Sequence, residues 1–196
     1  MTTRSSNRRQ DIIRAALACF AEHGVEATTI DMIRAASGAS TGSLYHHFGS
    51  KERIAAEVYL EGLRQFRASQ MAYLAQAQSL EEGIRAIVHA HVDWIVDNPD
   101  WADFIFHHRV VLAGAGAEPV LQQELNESFA QIVDWMKARA GGGRRLRWPL
   151  DTYAALITGP VHEYARHWLA GRRQTALAEL REFFAEAAIR AVGVAG

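Results

Sequence analysis

The chain has 196 residues, 49% of them apolar and 22% charged, so one large or two small domains can each bury a core. Twenty-one Lys and Arg against 22 Asp and Glu leave a formal net charge of −1, which excludes a uniformly basic nucleic-acid wrapper and a polybasic membrane binder but leaves room for a local basic patch. A single cysteine, Cys19, excludes an intrachain disulfide and an all-cysteine metal cluster; with no apolar run near ~18 residues and no apolar leader segment, a cytoplasmic protein without membrane partners is expected.

Apolar spacing is helical almost throughout. Ile13, Leu17 and Phe20 share one face of a first helix, and Gly24 sits where a helix end needs positive φ. A short second helix is expected after Thr28 or Thr29, whose hydroxyls suit an N-cap, with Ile30, Ile33 and Ala36 inward and Gly38 as its stop. Ser40 is the N-cap candidate for a third, carrying Leu44, Tyr45 and Phe48. From Lys51 to about Ala77 the only helix breaker is Gly62. Ser79 and Glu82 fit a capping box opening a helix to about Val96, and Asn98-Pro99 reads as a cap plus first-turn proline for a segment ending near Gly114-Ala115-Gly116. Glu118-Pro119 opens another, to about Ala140. The run from Gly141 to Arg145 is the clearest loop. Two helices close the chain, Pro149 to Ala170 and Gln174 to Val192, with a kink or break expected near Gly159 because Pro160 has no N–H. The fold class is all-α, with about nine helices.

The chemistry concentrates in the first fifty residues. A helix pair joined by Ser37-Gly38-Ala39 is a helix-turn-helix pattern. Its second helix exposes Thr41, Gly42, Ser43, Tyr45, His46 and His47 while Leu44 and Phe48 point inward. Small hydroxyl and glycine residues at a helix start admit phosphates to backbone N–H groups, and Tyr and His reach phosphates or base edges. Lys51 adds a positive charge beside them. Residues 1–53 hold seven basic and five acidic groups, so the slight basic excess lies here. Arg4, Arg8 and Arg9 are either a basic arm for a phosphate backbone or minor groove, or a solvated terminus.

From Asn7 to about Leu60 the sequence resembles the DNA-binding domain of the TetR family of bacterial transcriptional regulators. The resemblance rests on Phe20-Ala21-Glu22-His23-Gly24, Ala27-Thr28-Thr29-Ile30, Ile33 to Gly38 and, most specifically, the run from Gly42 to Glu52. It implies a homodimer with a DNA-binding domain over residues 1–50 and an effector-binding and dimerisation domain over 51–196. It also implies that Thr29 caps the second helix near a phosphate, that Thr41, Gly42, Ser43, Tyr45 and His46 face the major groove, that His47 and Lys51 lie at the backbone, and that Ser40 belongs to the same DNA-binding set. Many relatives carry a lysine in place of Thr41, so phosphate affinity and base preference are expected to differ here. The expected partners are a palindromic double-stranded operator and a small-molecule effector.

In the remaining chain, Leu150, Ala154, Ile157, Val161, Tyr164 and Trp168 follow a four-three seam, and Leu177, Leu180, Phe184 and Ala188 make a second stripe. These stripes either pack on their own domain or form a two-fold four-helix bundle, and the resemblance favours the dimer. Trp94, Trp101, Phe104, Phe106, Phe129 and Trp135 are core or line an effector cavity. The ligand-binding candidates are His91, Trp94, Phe104, His108, Phe129 and His162, with Arg109 a candidate for an anionic group. His89/His91, His107/His108 and His162/His167 lack the i, i+4 spacing of a helical metal pair, so no metal and no cofactor are expected. No nucleophile elbow, phosphate loop or HExxH run argues for an enzyme. The sequence therefore reads as a ligand-responsive regulator, a repressor with an activator on the same fold as the alternative. The rival is a helical small-molecule or metal-binding protein with a vestigial helix-turn-helix.

Overall fold

The structure is a computed structural model describing residues 2–139 and 149–193, with side chains from Asn7 onward except those of Leu150 and Asp151. The loop expected from Gly141 to Arg145 lies outside the described residues, as do the side chains of Arg4 and Leu150. The described residues form ten helices and no strand: α1 (Thr2–His23), α2 (Ile30–Ser37), α3 (Thr41–His47), α4 (Lys51–Leu74), α5 (Leu80–Asp97), α6 (Pro99–His107), α7 (Val111–Gly114), α8 (Glu118–Arg139), α9 (Leu150–Leu169) and α10 (Arg181–Val192), with a 3₁₀ turn at Leu177–Leu180. None is long and apolar enough to cross a membrane.

The chain divides into two compact units. One comprises the described residues to Leu63 together with Asp100–Gln122; the other comprises Arg64–Pro99 and the described residues from Gln123 on. In the first unit, Ile12, Ile13, Ala16, Leu17 and Phe20 of α1 are buried with Ile33, Leu44, Phe48, Ile54 and Val58, as the helical spacing required. Ala36 is exposed instead, because α2 turns Ile33 inward and the next buried residue is Ala39, beyond the turn. Helix α6 joins this core: Phe104 stacks on Phe20 at 5.6 Å, and Trp101 closes over Gly62 of α4. Cys19 is buried in α1, and burial together with the nearby Glu22 charge pushes its thiol pKa up.

Gly62 is a packing requirement. A Cβ there would lie 2.6 Å from Trp101 Cε3 and 3.0 Å from Ile105 Cδ1. Gly62→Ala ordinarily gains about 1 kcal/mol of helix propensity, but overpacking against two wedged side chains costs about 2–3 kcal/mol, a net loss of about 1–2 kcal/mol. The expected result is a fall in Tm of about 2–8 °C by calorimetry. A rise would mean that Trp101 moves aside freely.

In the second unit, α10 packs on α5 and α9, and α5 on α9. Ile84, Ile87, Val88, Val92 and Ile95 face Tyr153, Ile157, Val161 and Ala165 together with Leu177, Phe184, Ala185, Ala188 and Ile189 in its core. The buried stripe of α9 is rotated from the expected seam, leaving Ala154 exposed and Tyr164 and Trp168 half-buried. Helix α9 runs unbroken through Pro160. Buried Ile157 and Val161 hold the helix on both sides of the missing hydrogen bond, so packing outweighs its loss.

Three other boundaries differ from the spacing. The α6 segment stops at His107, where the i+3 bonds Val111 N to His108 O and Leu112 N to Arg109 O replace i+4 bonding. Asn98 does not cap α6: its amide donates to Trp94 O at 2.9 Å and closes α5. The last helix begins only at Arg181, after the 3₁₀ turn, and the chain before it is pinned by Tyr164 Oη donating to Thr175 O at 3.0 Å. At the start of α5 the capping pair is present in extended form. Ser79 Oγ accepts from Glu82 N, and Glu82 Oε2 accepts from Gln78 N. An ionic knot joins α4, α5 and α10: Asp93 accepts from Arg181 Nε and Nη2 at 2.8 and 2.7 Å and from Tyr73 Oη at 2.7 Å.

Candidate nucleic-acid interface and aromatic cluster

Each reading element is fixed by a side-chain cap. Thr29 is the N-cap of α2, its Oγ1 accepting from Met32 N at 3.2 Å, and Ser40 Oγ accepts from Ser43 N at 3.2 Å to start α3. Between them Gly38 takes φ 62°, a left-handed conformation that L side chains adopt only with strain, so the turn depends on glycine. Leu44 and Phe48 are buried and anchor α3. With that face held, Thr41, Gly42, Tyr45 and His46 are exposed together, Tyr45 at 54%, while Ser43 and His47 are half-buried. A Cβ at Gly42 would meet nothing closer than Ser40 Oγ at 4.0 Å, so the backbone there is open to close approach. Rings of His46 and His47 meet edge-on at 5.3 Å.

Lys51 stands apart from this face. Its Nζ donates to the carbonyls of Val25, Glu26 and Thr28 at 3.0, 2.9 and 2.9 Å. An ammonium has three N–H donors, so all are engaged in holding the turn between α1 and α2. Buried Thr28 completes that turn, its hydroxyl lying between the Cys19 and Gly24 carbonyls. Spacing in the sequence gives no sign of this role, because the partners are backbone atoms over twenty residues away. The basic N-terminal run is likewise helical from Thr2. Arg9 pairs with Glu57 and lies over the Phe48 ring, whereas Arg8 is exposed. Beside α3 the first unit has an open cleft of about 280 Å³, lined by His47, Arg53, Glu57, Leu60 and Val120 among others.

The ligand candidates fall into three places. His91, Trp94 and His162 gather in the second unit: the Phe66 ring meets His91 edge-on at 4.9 Å and Trp94 at 5.4 Å, and His91 lies 6.1 Å from His162. Phe104 and His108 belong to the first unit, in contact at 4.8 Å behind Phe20. Phe129 is exposed on α8. Sequence reasoning missed Phe66, which sits on α4 and only meets α5 through the tertiary fold. His91 is 7% exposed, its Nδ1 has no hydrogen-bond partner, and burial lowers its pKa to about 3, so the ring is neutral. Burial also lowers the pKa of His108. Arg109 lies 3.6 Å from Glu118, and His89, His107 and His167 each face a carboxylate, those of Glu182, Asp103 and Glu163. Among the described residues no three His, Cys, Asp or Glu side chains converge on one point.

Known proteins resemble this chain at two levels. The family described as "Bacterial regulatory proteins, tetR family" matches residues 12–58, the span of the caps and reading helix. The transcriptional repressor AcnR of Corynebacterium efficiens is 35% identical over 91 residues, 45% of this chain and 46% of that repressor, so the chain spans about half its length. The transcriptional repressor KstR2 of Rhodococcus jostii is 30% identical over 141 residues, covering 72% of this chain and 68% of the repressor. The fold extends further than the sequence likeness. FadR of Bacillus subtilis, solved in complex with stearoyl-CoA, superposes with a TM-score of 0.74 at 18% identity, over 92% of this chain and 97% of that one. With the capped helix-turn-helix in place and KstR2 matched over two thirds of its length, the chain belongs to the TetR family of bacterial regulatory proteins.

Proposed function

We propose that this protein is a ligand-responsive repressor that binds a palindromic operator as a homodimer and is released by a small-molecule effector. The observation that carries the reading is α3 itself: Leu44 and Phe48 bury one side while Thr41, Gly42, Tyr45 and His46 present the other to solvent. Side chains of that kind at a helix start are suited to base edges and phosphates in a major groove. Residues 1–50 carry the reading function and 51–196 effector binding and dimerisation, in the cytoplasm, although Lys51–Leu63 and Asp100–Gln122 belong to the same compact unit as the reading helices. Two heads on a two-fold axis would meet major grooves about 34–36 Å apart. The surface for dimerisation is α9 and α10, where Leu156 and Phe183 are exposed, Phe183 at 60%. The effector site is the cluster of Phe66, His91, Trp94 and His162.

Fluorescence anisotropy with DNA from upstream of the protein's own gene, after footprinting, tests the reading. Tyr45→Ala is expected to weaken binding about 10-fold or more, because a base or phosphate contact of this kind contributes about 1–3 kcal/mol. Undiminished affinity in that variant overturns the assigned face. Light scattering should return twice the mass of one chain at micromolar concentration, and the mass of one chain overturns the dimer.

A further inference from the structure

We propose that the His91 cluster is a binding site for an apolar, ring-sized molecule bearing one uncharged hydroxyl or carbonyl group, which hydrogen-bonds His91 Nδ1. The inference deepens the effector-site reading and rests on it. Nδ1 is a buried polar atom with no partner, and such an atom carries the full cost of its lost water unless a ligand supplies the bond. Its surroundings define what that ligand must otherwise be. Phe66 meets the imidazole edge-on and Trp94 meets Phe66, so the side chains next to it are aromatic. The ionisable ring beside it is His162 of α9, 6.1 Å away.

The charge of the ligand's polar group follows from the same geometry. An anion at Nδ1 needs either a cation or a protonated imidazole. Of the cations on the same stretch of α4 as Phe66, Arg64 and Arg67 are both bound to Glu124, at 2.7 and 3.1 Å. Protonating His91 at pH 7 from a pKa of about 3 carries about a ten-thousand-fold penalty. Nδ1 of a neutral imidazole is a donor in one tautomer and an acceptor in the other, which a hydroxyl satisfies in either case and a carbonyl in one.

The test titrates full-length, ¹⁵N-labelled protein, without DNA, with 2-naphthol and separately with 2-naphthoate at pH 7.5, reading the His91 ring nitrogens by long-range ¹H–¹⁵N correlation. The pair shares a ring system and differs in the charge of its polar group. Saturable movement of the His91 Nδ1 resonance is expected with 2-naphthol, at an affinity at least about ten-fold above that for 2-naphthoate. His91→Phe, which keeps a ring and deletes the orphan nitrogen, is expected to lose at least about ten-fold in 2-naphthol affinity while keeping or raising Tm. His91→Leu repeats the reading should the phenylalanine variant not fold, and failure of both to fold overturns the proposal by making Nδ1 structural. Equal or tighter 2-naphthoate binding, no saturable response to either probe, or an unchanged affinity in His91→Phe also overturns it. If 2-naphthol binds at His91 yet leaves DNA affinity unchanged, the ligand-response part of the repressor reading fails while this site stands.

Discussion

Replacing Lys51 by methionine is expected to lower Tm by about 4–8 °C while leaving the salt dependence of DNA binding unchanged. The variant keeps the length of the stem and removes three hydrogen bonds from a cation to the Val25, Glu26 and Thr28 carbonyls. Hydrogen bonds to a charged group contribute about 1.5–3 kcal/mol singly, and sharing one half-buried ammonium keeps their sum near 2 kcal/mol, or about 4–8 °C in a chain this long. The salt measurement separates two roles. A lysine on a phosphate releases counterion, and its loss would reduce the slope of log K against log salt by about one per head. A lysine that holds the turn before α2 changes affinity only through the position of Thr29 and the helix it caps. Lower DNA affinity at an unchanged slope is the expected pattern, and a slope reduced by about one per head assigns Lys51 to the phosphates instead.

Asp93→Ala is expected to destabilise the second unit by about 2 kcal/mol. The carboxylate accepts two bonds from Arg181 and one from Tyr73, and its removal leaves the guanidinium without its bidentate partner. A fully buried pair broken on one side costs about 3–5 kcal/mol. Here the side chains of Arg181 and Asp93 are 34% and 27% exposed, so water recovers part of that loss and the smaller figure applies. The double variant Asp93→Ala/Arg181→Ala should lose less than the two single losses added, with a coupling of about 1–2 kcal/mol in a denaturant-based cycle. Strict additivity would show that the knot contributes nothing as a pair. Because it ties the end of α4 and the middle of α5 to the first residue of α10, the single variants should also weaken self-association if α10 lies in the dimer contact.

What could be read in the sequence was whatever depends on near neighbours. Thr29, Ser40 and Ser79 cap helices because an N-cap and its N–H partner lie three residues apart, and Gly38 sits where a left-handed turn is needed. The inward set of α1 and the outward face of α3 follow from a period of 3.6. Residues whose partners lie far along the chain were read less well. By sequence alone Lys51 reads as a charge at the DNA backbone, Arg9 as part of a basic arm or a solvated terminus, and Phe104 as a pocket companion of Trp94, whereas Lys51 holds Val25 O, Arg9 pairs with Glu57 and Phe104 stacks on Phe20. Local rules also failed where packing outweighs them: Pro160 does not interrupt α9, whose flanking residues Ile157 and Val161 are buried.

The buried thiol of Cys19 makes this chain a convenient chassis for spectroscopy. It is the only cysteine in the sequence, it lies in the α1 core, and its pKa is raised, so little thiolate is present at neutral pH and less is reachable. A cysteine introduced at an exposed position away from the reading and dimerisation faces, such as Ala21 on α1, would then take up a maleimide dye or spin label selectively, without mutating Cys19 away. In the proposed homodimer, distances between the two reading heads, with and without operator, become measurable on an otherwise native sequence.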